Sequence, residues 1–455
     1  MRTSPVFELN LLKRDWIEGV SGTAFFQRVH RCIERIESTN VLATARGVLV
    51  AESEPLDYAA AFFASVHSGV PVILANPKWQ QLEWVQLFEQ VNPTIVFGDS
   101  GILKMTGSLK AKNPGVGMIL IPTGGSSGKL KLAIHTWETL VVAGEGVWTF
   151  LENKPIHSCC VLPLYHVSGL MQLVRSFISG GRIALTHYKL LEAGQFPETA
   201  AEKLCLSLVP TQLQRMLAQP TIMNWLGNLR AIFLGGAPMS SDLRARLRKS
   251  GLPIVPTYGM TETAAMITAL STNDFISGNT SVGYPLAHAT VQVIREDGSY
   301  CRPDERGRIQ IRAHSLCQGY HGVPSDILQR GYLSTDEGYL DHEGYLHIVG
   351  RSDRIIISGG EKIDPLEVEA ALLDSKMVDQ ALVIGWPDLE WGEQVIAFYV
   401  PADQADNVED LRQYLKKNHV NYKIPRQIIR VPELPLTLQG KPDHTLIGKL
   451  LEKTL

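Results

Sequence analysis

Through about residue 350 the chain alternates short apolar runs with stretches of helical period. Gly47-Val48-Leu49-Val50-Ala51 leads into an amphipathic segment from about Pro55 to Ser68, then into Val70-Pro71-Val72-Ile73-Leu74. Thr94-Ile95-Val96-Phe97, Leu206-Ser207-Leu208-Val209 and Ala231-Ile232-Phe233-Leu234 continue the series. Strand–helix alternation of this kind predicts an α/β fold on largely parallel sheets with flanking helices. From about residue 283 the runs shorten and turn residues separate them, which predicts a mostly β subdomain over about 283–350. Past Gly350-Arg351-Ser352-Asp353 a separate α+β pattern begins. There Asp364-Pro365-Leu366-Glu367 has the cap, first-turn proline and acidic third residue of a helix start. Ala381–Ile384 and Val395–Val400 read as strands and Val408–Asn418 as a helix. The pattern predicts a large N-terminal domain over 1–352 and a small C-terminal domain over 353–455.

Composition narrows the class. A chain of 455 residues, 45% hydrophobic, is long enough for more than one core. The net charge of −3 supplies no basic surface for nucleic acid, and Arg244 to Lys249 reads as one solvated helix face. No uncharged apolar stretch reaches the ~18 residues of a spanning helix, so no membrane insertion is expected. The start, with Glu8, Lys13, Arg14 and Asp15, lacks the apolar centre of a signal peptide. Six cysteines without metal-ligand spacing read as reduced thiols, and the expected compartment is the cytoplasm.

The candidate chemistry starts at Thr123-Gly124-Gly125-Ser126-Ser127-Gly128-Lys129-Leu130-Lys131, directly after the apolar run Met118 to Ile121. Backbone N–H groups and hydroxyls of such a loop can surround phosphate oxygens. Alone, the same residues are compatible with an ordinary Gly/Ser turn. The spacing is not that of the P-loop, which needs Ser or Thr after its lysine where this chain has Leu130. Leu130, Leu132 and Ile134 alternate with Lys131, so the loop is expected to join two strands, with Lys131 leaving the second strand on the other face.

Further motifs follow in order: Gly235-Gly236-Ala237-Pro238-Met239-Ser240, Tyr258-Gly259-Met260-Thr261-Glu262-Thr263, Ser334-Thr335-Asp336, Gly350-Arg351-Ser352-Asp353-Arg354, Gly359-Gly360-Glu361-Lys362-Ile363 and Gly440-Lys441. With the glycine loop they resemble the adenylate-forming superfamily of acyl-CoA ligases, luciferases and peptide-synthetase adenylation domains over nearly the whole chain. Leu130 where most members have proline, and Ser334-Thr335-Asp336 for Thr-Gly-Asp, are the departures. The resemblance implies a two-step reaction with ATP, Mg²⁺ and CoA: a carboxylic acid becomes an acyl-adenylate, then a thioester.

The resemblance also assigns roles. Thr123, Gly124, Gly125, Ser126, Ser127, Gly128 and Lys131 would hold the β- and γ-phosphates. Gly236, Ala237 and Pro238 would wall the adenine, with Tyr258 stacked on it and Gly259 beside it. Thr261 would donate to the α-phosphate, Glu262 would anchor Mg²⁺, and Asp336 with Arg351 would hold the ribose. An Asp336–Arg351 surface ion pair is the bland alternative. Lys441 would bridge the substrate carboxylate and α-phosphate. The C-terminal domain would rotate at the hinge, Asp353, and bring in the Ser358-Gly359-Gly360 loop for the CoA step.

For the acid, Pro163 to Gly169 and Ser207 to Arg215 are the expected pocket segments, with a helix starting after Pro210. His166, Gln212 and Arg215 are the candidate contacts. An arginine at a pocket edge suits a second carboxylate, and a plain surface role is the alternative. Within the superfamily these segments and Ala133-Ile134-His135-Thr136-Trp137 resemble the o-succinylbenzoate–CoA ligases, in their cyanobacterial and plastid branch. That implies 2-succinylbenzoate activation in menaquinone or phylloquinone synthesis, with another aryl or short acyl acid, or a silent nucleotide-binding homologue, as alternatives.

Overall fold

A computed structural model of the chain describes residues 7–39, 41, 46–79, 81–99, 101–102, 111–124, 130–217, 219–239, 241–351, 356–358, 361–388, 391–402, 407–418, 424–437 and 442–452. It is mixed α/β, as the alternation predicts. Two compact units emerge. The first comprises Met1–Gln292, Gln310–Leu333 and Leu340–His347; the second comprises Val293–Ile309, Ser334–Tyr339 and Ile348–Leu455. This division runs through the β region expected over about 283–350.

The first unit holds two sheets. Strands β1 (Val48–Ala51), β2 (Val72–Leu74), β3 (Ile95–Gly98), β4 (Ile119–Gly124) and β5 (Leu130–His135) lie in the order β3-β1-β2-β4-β5. Only the β4–β5 pair is antiparallel. Both faces of this sheet are buried: Val48, Val50, Val72 and Ile121 belong to one core, Leu49, Ile73, Leu120 and Leu132 to another. That is why its strands read as continuous apolar runs.

The second sheet contains β6 (His157–Cys160), β7 (Ile183–Leu185), β8 (Leu204–Leu208), β9 (Ala231–Leu234), β10 (Ile254–Met260), β11 (Ala265–Ala269) and β12 (Tyr284–Pro285), in the order β12-β11-β10-β9-β8-β6-β7. It is parallel from β7 to β10 and turns antiparallel at β11. The helix Val167–Ile178 packs against the helix Trp137–Phe150 and against β6, β7 and β11, and nine of its residues in a row, Gly169 to Phe177, are buried. A helix covered all round is a core element. This one nevertheless includes Gln172 and Arg175.

β13 (Ala289–Ile294), β14 (Gly307–Ala313), β15 (Tyr332–Leu340) and β16 (Leu346–Arg351) form a sheet in chain order. The second unit has its own sheet of β17 (Ile356–Ser358), β18 (Glu361–Ile363), β19 (Val378–Asp388), β20 (Gly392–Pro401) and β21 (Gln427–Arg430). Val383, Val395 and Ala397 face one core, Leu382, Ile384 and Ile396 the other. Helix Pro365–Asp374 starts as its sequence predicts, with the Asp364 carboxylate accepting from Leu366 N at 3.0 Å. Helix Val408–Asn418 has its expected bounds, whereas β19 and β20 extend beyond the expected strands to meet in a hairpin at Asp388 and Gly392.

Candidate active site

The glycine loop joins two strands, as its alternation predicts: Thr123 pairs with Lys131 and Gly124 with Leu130 across β4 and β5. Gly125, Ser126, Ser127 and Gly128 lie outside the described residues. Lys131 is exposed, and its Nζ stands 5.2 Å from the centroid of the Tyr320 ring. Tyr320 reaches β5 because its segment continues the sheet: Gln318 N donates to Ile134 O at 2.8 Å and His321 N to Leu132 O at 2.8 Å.

The diagnostic turn begins where β10 ends. Thr261–Thr263 form one 3-10 turn between β10 and β11. Gly259 is required here, because a Cβ on it would lie 1.9 Å from Ala265 O. Ala264 and Ala265, with φ of 54° and 75°, hold left-handed backbone that alanine rarely adopts. What fixes the strained turn is that each of its three carbonyls has a donor. His135 Nε2–H donates to Thr261 O at 2.8 Å, Cys317 N–H to Glu262 O at 2.8 Å, and the Ser315 hydroxyl to Thr263 O at 3.0 Å.

Two of the three donors come from the stretch that carries Tyr320 and the third from the end of β5. Hydrogen bonds therefore tie the turn to the end of β5 and to the Ser315–Tyr320 stretch.

Glu262 is buried, 7% exposed, and Tyr320 donates its hydroxyl to Glu262 Oε1 at 2.6 Å. Burial, then the adjacent Glu262 carboxylate, raises the Tyr320 pKa well above the ordinary range, so the phenol stays protonated. No described residue donates to Glu262 Oε2, and no cluster of three or more potential metal ligands exists among the described residues. One buried carboxylate in a turn that packs on β4 fits Mg²⁺, which retains waters and takes much of its coordination from substrate phosphates. It does not fit a metal caged wholly by protein.

His135 is fully buried, and its pKa is pulled down to about 4 by burial, opposed by its bond to the Thr261 carbonyl. A carbonyl can only accept, so the proton sits on Nε2 and Nδ1 faces Thr139 Oγ1 at 3.0 Å. Burial likewise lowers the His288 pKa to about 4. Between pH 4 and 6.5 the unfolded chain binds protons that these folded imidazoles refuse, so stability must fall as pH drops through that window. His135 alone accounts for about 3 kcal/mol of that loss. Urea unfolding at pH 5 and pH 7 should show the native protein losing more than His135→Asn does between the two. An equal loss in both would remove His135 from this account.

Gly235 and Gly236 follow β9, and a Cβ on Gly235 would meet Thr257 Oγ1 at 2.5 Å. Ala237 and Pro238 follow β9, and Tyr258 lies near the C-terminal end of its parallel neighbour β10.

In the acid segments, His166 is the N-cap residue of helix Val167–Ile178 and packs edge-on to Tyr165 at 4.5 Å. Gln212 and Arg215 lie on helix Pro210–Met216. Gln212 turns its Oε1 back to accept from Val209 N at 3.1 Å, and Arg215 is exposed.

Sequence reading missed Arg175, whose position three residues from Gln172 looks like an ordinary polar helix face. Arg175 is 3% exposed. Its Nε donates to Met171 O at 2.9 Å, its Nη1 reaches Met266 Sδ at 3.8 Å, and its guanidinium lies 5.6 Å from the Phe233 ring centroid. No carboxylate pairs with it among the described residues, and burial lowers its pKa to about 10, which leaves it charged at neutral pH. Gln172 Oε1 is also buried, with no hydrogen-bond partner among the described residues.

In the second unit, Asp336 is buried on β15. The unusual Ser334 has a local role: its Oγ accepts from Asp336 N at 3.0 Å and donates to Asp336 O at 3.2 Å. Arg308 clamps Ser334 O through Nε and Nη2 at 3.2 and 3.0 Å. Ser358 closes β17 against Glu361 of β18 and Gly392 of β20. The Arg351 backbone ends β16; its side chain, and Asp353, Gly359, Gly360 and Lys441 entirely, lie outside the described residues.

Comparison with known proteins decides the family. The AMP-binding enzyme model matches residues 111–321 and the AMP-binding enzyme C-terminal domain residues 367–441. The 2-succinylbenzoate–CoA ligase of Geobacillus kaustophilus (strain HTA426) is 33% identical over 345 residues, 73% of this chain and 69% of that protein. The chain belongs to the AMP-binding enzyme family. The membership expected from the ordered motifs is thereby borne out.

The indoleacetate–CoA ligase of Aromatoleum aromaticum (strain DSM 19018 / LMG 30748 / EbN1) is 30% identical over 361 residues, 75% of this chain and 69% of that protein. These matches span about two thirds of the relatives' own lengths. Among solved structures, o-succinylbenzoate CoA synthetase from Bacillus subtilis with its acyl-adenylate intermediate matches at TM-score 0.75 and 26% identity, over 94% of this chain and 93% of that one. The same synthetase with ATP and magnesium ion matches at TM-score 0.74 and 26% identity, over 93% of each chain. Among the described residues no helix is long and apolar enough to cross a membrane.

Proposed function

We propose that this AMP-binding enzyme is an acid–CoA ligase acting on 2-succinylbenzoate in the cytoplasm, in menaquinone or phylloquinone synthesis. The observation that carries the reading is the Thr261-Glu262-Thr263 turn, which presents a buried carboxylate beside the glycine-loop strand with every carbonyl tied down. In the first step a substrate carboxylate oxygen bonds to the α-phosphorus of ATP while the bond to pyrophosphate breaks. In the second, the CoA sulfur bonds to the acyl carbon and AMP leaves with its mixed-anhydride oxygen. The difficulty of the first step is bringing an anion to a polyanion, so preorganised donors and positive charge dominate its catalysis. Mg²⁺, when bound at Glu262, supplies charge neutralisation on the phosphates. Thr123, Ser126, Ser127 and Lys131 hold the pyrophosphate portion, Thr261 donates to the α-phosphate, and Lys441 bridges the two reacting groups. Asp336 and Arg351 hold the ribose. Rotation about Asp353 then replaces Lys441 with the Ser358-Gly359-Gly360 loop for the CoA step.

Two guanidiniums are candidates for the second carboxylate of 2-succinylbenzoate. Arg215 is exposed and suits the rim, with His166 and Gln212 nearby in sequence as further contacts. Arg175 is buried with no counter-ion among the described residues, an arrangement that costs stability unless an anion joins it. Its Nε bond to Met171 folds it back toward the His166 end of the helix, so burial favours Arg175 as the anion anchor. ATP–pyrophosphate exchange over a panel of acids tests the assignment. Exchange should be fastest with 2-succinylbenzoate. Preference for indoleacetate or another acid with one carboxylate would move the substrate and leave the reaction class. No exchange with any acid would favour a silent homologue.

A further inference from the structure

The proposed mechanism leaves one half-buried phenol beside its charged centre unused. Tyr320 lies between two residues assigned to the phosphates: its hydroxyl donates to Glu262 Oε1 at 2.6 Å, and its ring carries Lys131 Nζ at 5.2 Å from the centroid. It is 58 residues from Glu262 in sequence, and it arrives there through the edge pairing of Gln318 and His321 with β5.

We infer that Tyr320 is a positioning residue for the first half-reaction: it holds one oxygen of Glu262 so that the other alone faces the metal, and it keeps Lys131 on the same side of the site. The inference rests on the proposed role of Glu262. A carboxylate with both oxygens available can swing or chelate, and either change moves the metal relative to the phosphates. A phenol bond to one oxygen removes that freedom. A hydrogen bond to a charged acceptor in a buried site is among the stronger kind, and losing one typically lowers a rate about ten- to a hundredfold. The ring contact with Lys131 is a cation–π interaction that needs no hydroxyl.

The two contacts can therefore be separated. Tyr320→Phe keeps the ring under Lys131 and removes only the hydroxyl. In this variant, ATP–pyrophosphate exchange should fall about tenfold or more at saturating Mg²⁺ and ATP, while conversion of a supplied acyl-adenylate to thioester keeps its native rate. Electron paramagnetic resonance of Mn²⁺ in the ATP complex should show an altered, more heterogeneous coordination than in the native protein. Tyr320→Leu should add a rise in the KM for ATP, because Lys131 loses its support. Equal losses in both half-reactions would mean that Tyr320 is merely structural, and unchanged exchange with an unchanged Mn²⁺ spectrum would equally overturn the inference. Glu262→Gln separates this failure from that of the underlying reading. If it abolishes exchange while Tyr320→Phe is silent, only the role of Tyr320 falls. If Glu262→Gln itself leaves exchange intact, the metal site must lie elsewhere.

Discussion

Replacing Lys441 by alanine is expected to lower ATP–pyrophosphate exchange by about a hundred- to a thousandfold, the usual consequence of removing a donor that stabilises charge only in the transition state. The effect should be confined to one half of the reaction. Lys441 is assigned to the bridge between the substrate carboxylate and the α-phosphate, and rotation at Asp353 would carry it away before CoA attacks. The variant should therefore convert supplied acyl-adenylate to thioester at close to the native rate. Stopped-flow measurement of both halves checks this. If thioester formation fell together with exchange, the residue would be needed in both domain orientations and the proposed rotation would be wrong.

Arg175→Met is the second large effect, and it should move activity and stability in opposite directions. Methionine approximates the length of the arginine stem and suits the surroundings of Met171, Met266 and Phe233. The unliganded protein should melt no lower than the native one, because a buried cation with no counter-ion among the described residues has been replaced by an apolar side chain. Turnover of 2-succinylbenzoate should nevertheless collapse. Truncating one partner of a buried charge pair costs about 2–5 kcal/mol, or roughly thirty- to several thousandfold in kcat/KM. Acids with a single carboxylate should be unaffected or improved. Arg215→Ala provides the comparison, with a smaller, salt-sensitive effect expected of a rim contact. A uniform loss over all acids with a lowered melting temperature would reduce Arg175 to a core residue.

Local signals made much of the fold legible in the chain. The runs Val48–Ala51 and Ile119–Ile121 are buried on both faces and read as strands for that reason. Leu130 to His135 alternates, and Asp364-Pro365 announces the helix it caps. The site is legible only where its residues are contiguous, as in Tyr258 to Thr263. His135 meets Thr261 at a separation of 126 residues and Tyr320 meets Glu262 at 58, so no local period or spacing connects them. Arg175 is hidden for another reason. With Gln172 it has the spacing of a solvated helix face, and only the packing around Val167–Ile178 places that face in the core. Ser334 looks like a weakened motif position until its hydroxyl is seen bonded to the Asp336 backbone.

The central claim is that this AMP-binding enzyme joins 2-succinylbenzoate to CoA. Its most direct test is mass spectrometry of a reaction containing the purified chain, ATP, Mg²⁺, CoA and 2-succinylbenzoate. The account predicts 2-succinylbenzoyl-CoA, with AMP and pyrophosphate formed one for one with the thioester. The absence of that thioester, under conditions where the same protein converts another acid to its CoA ester, would contradict it.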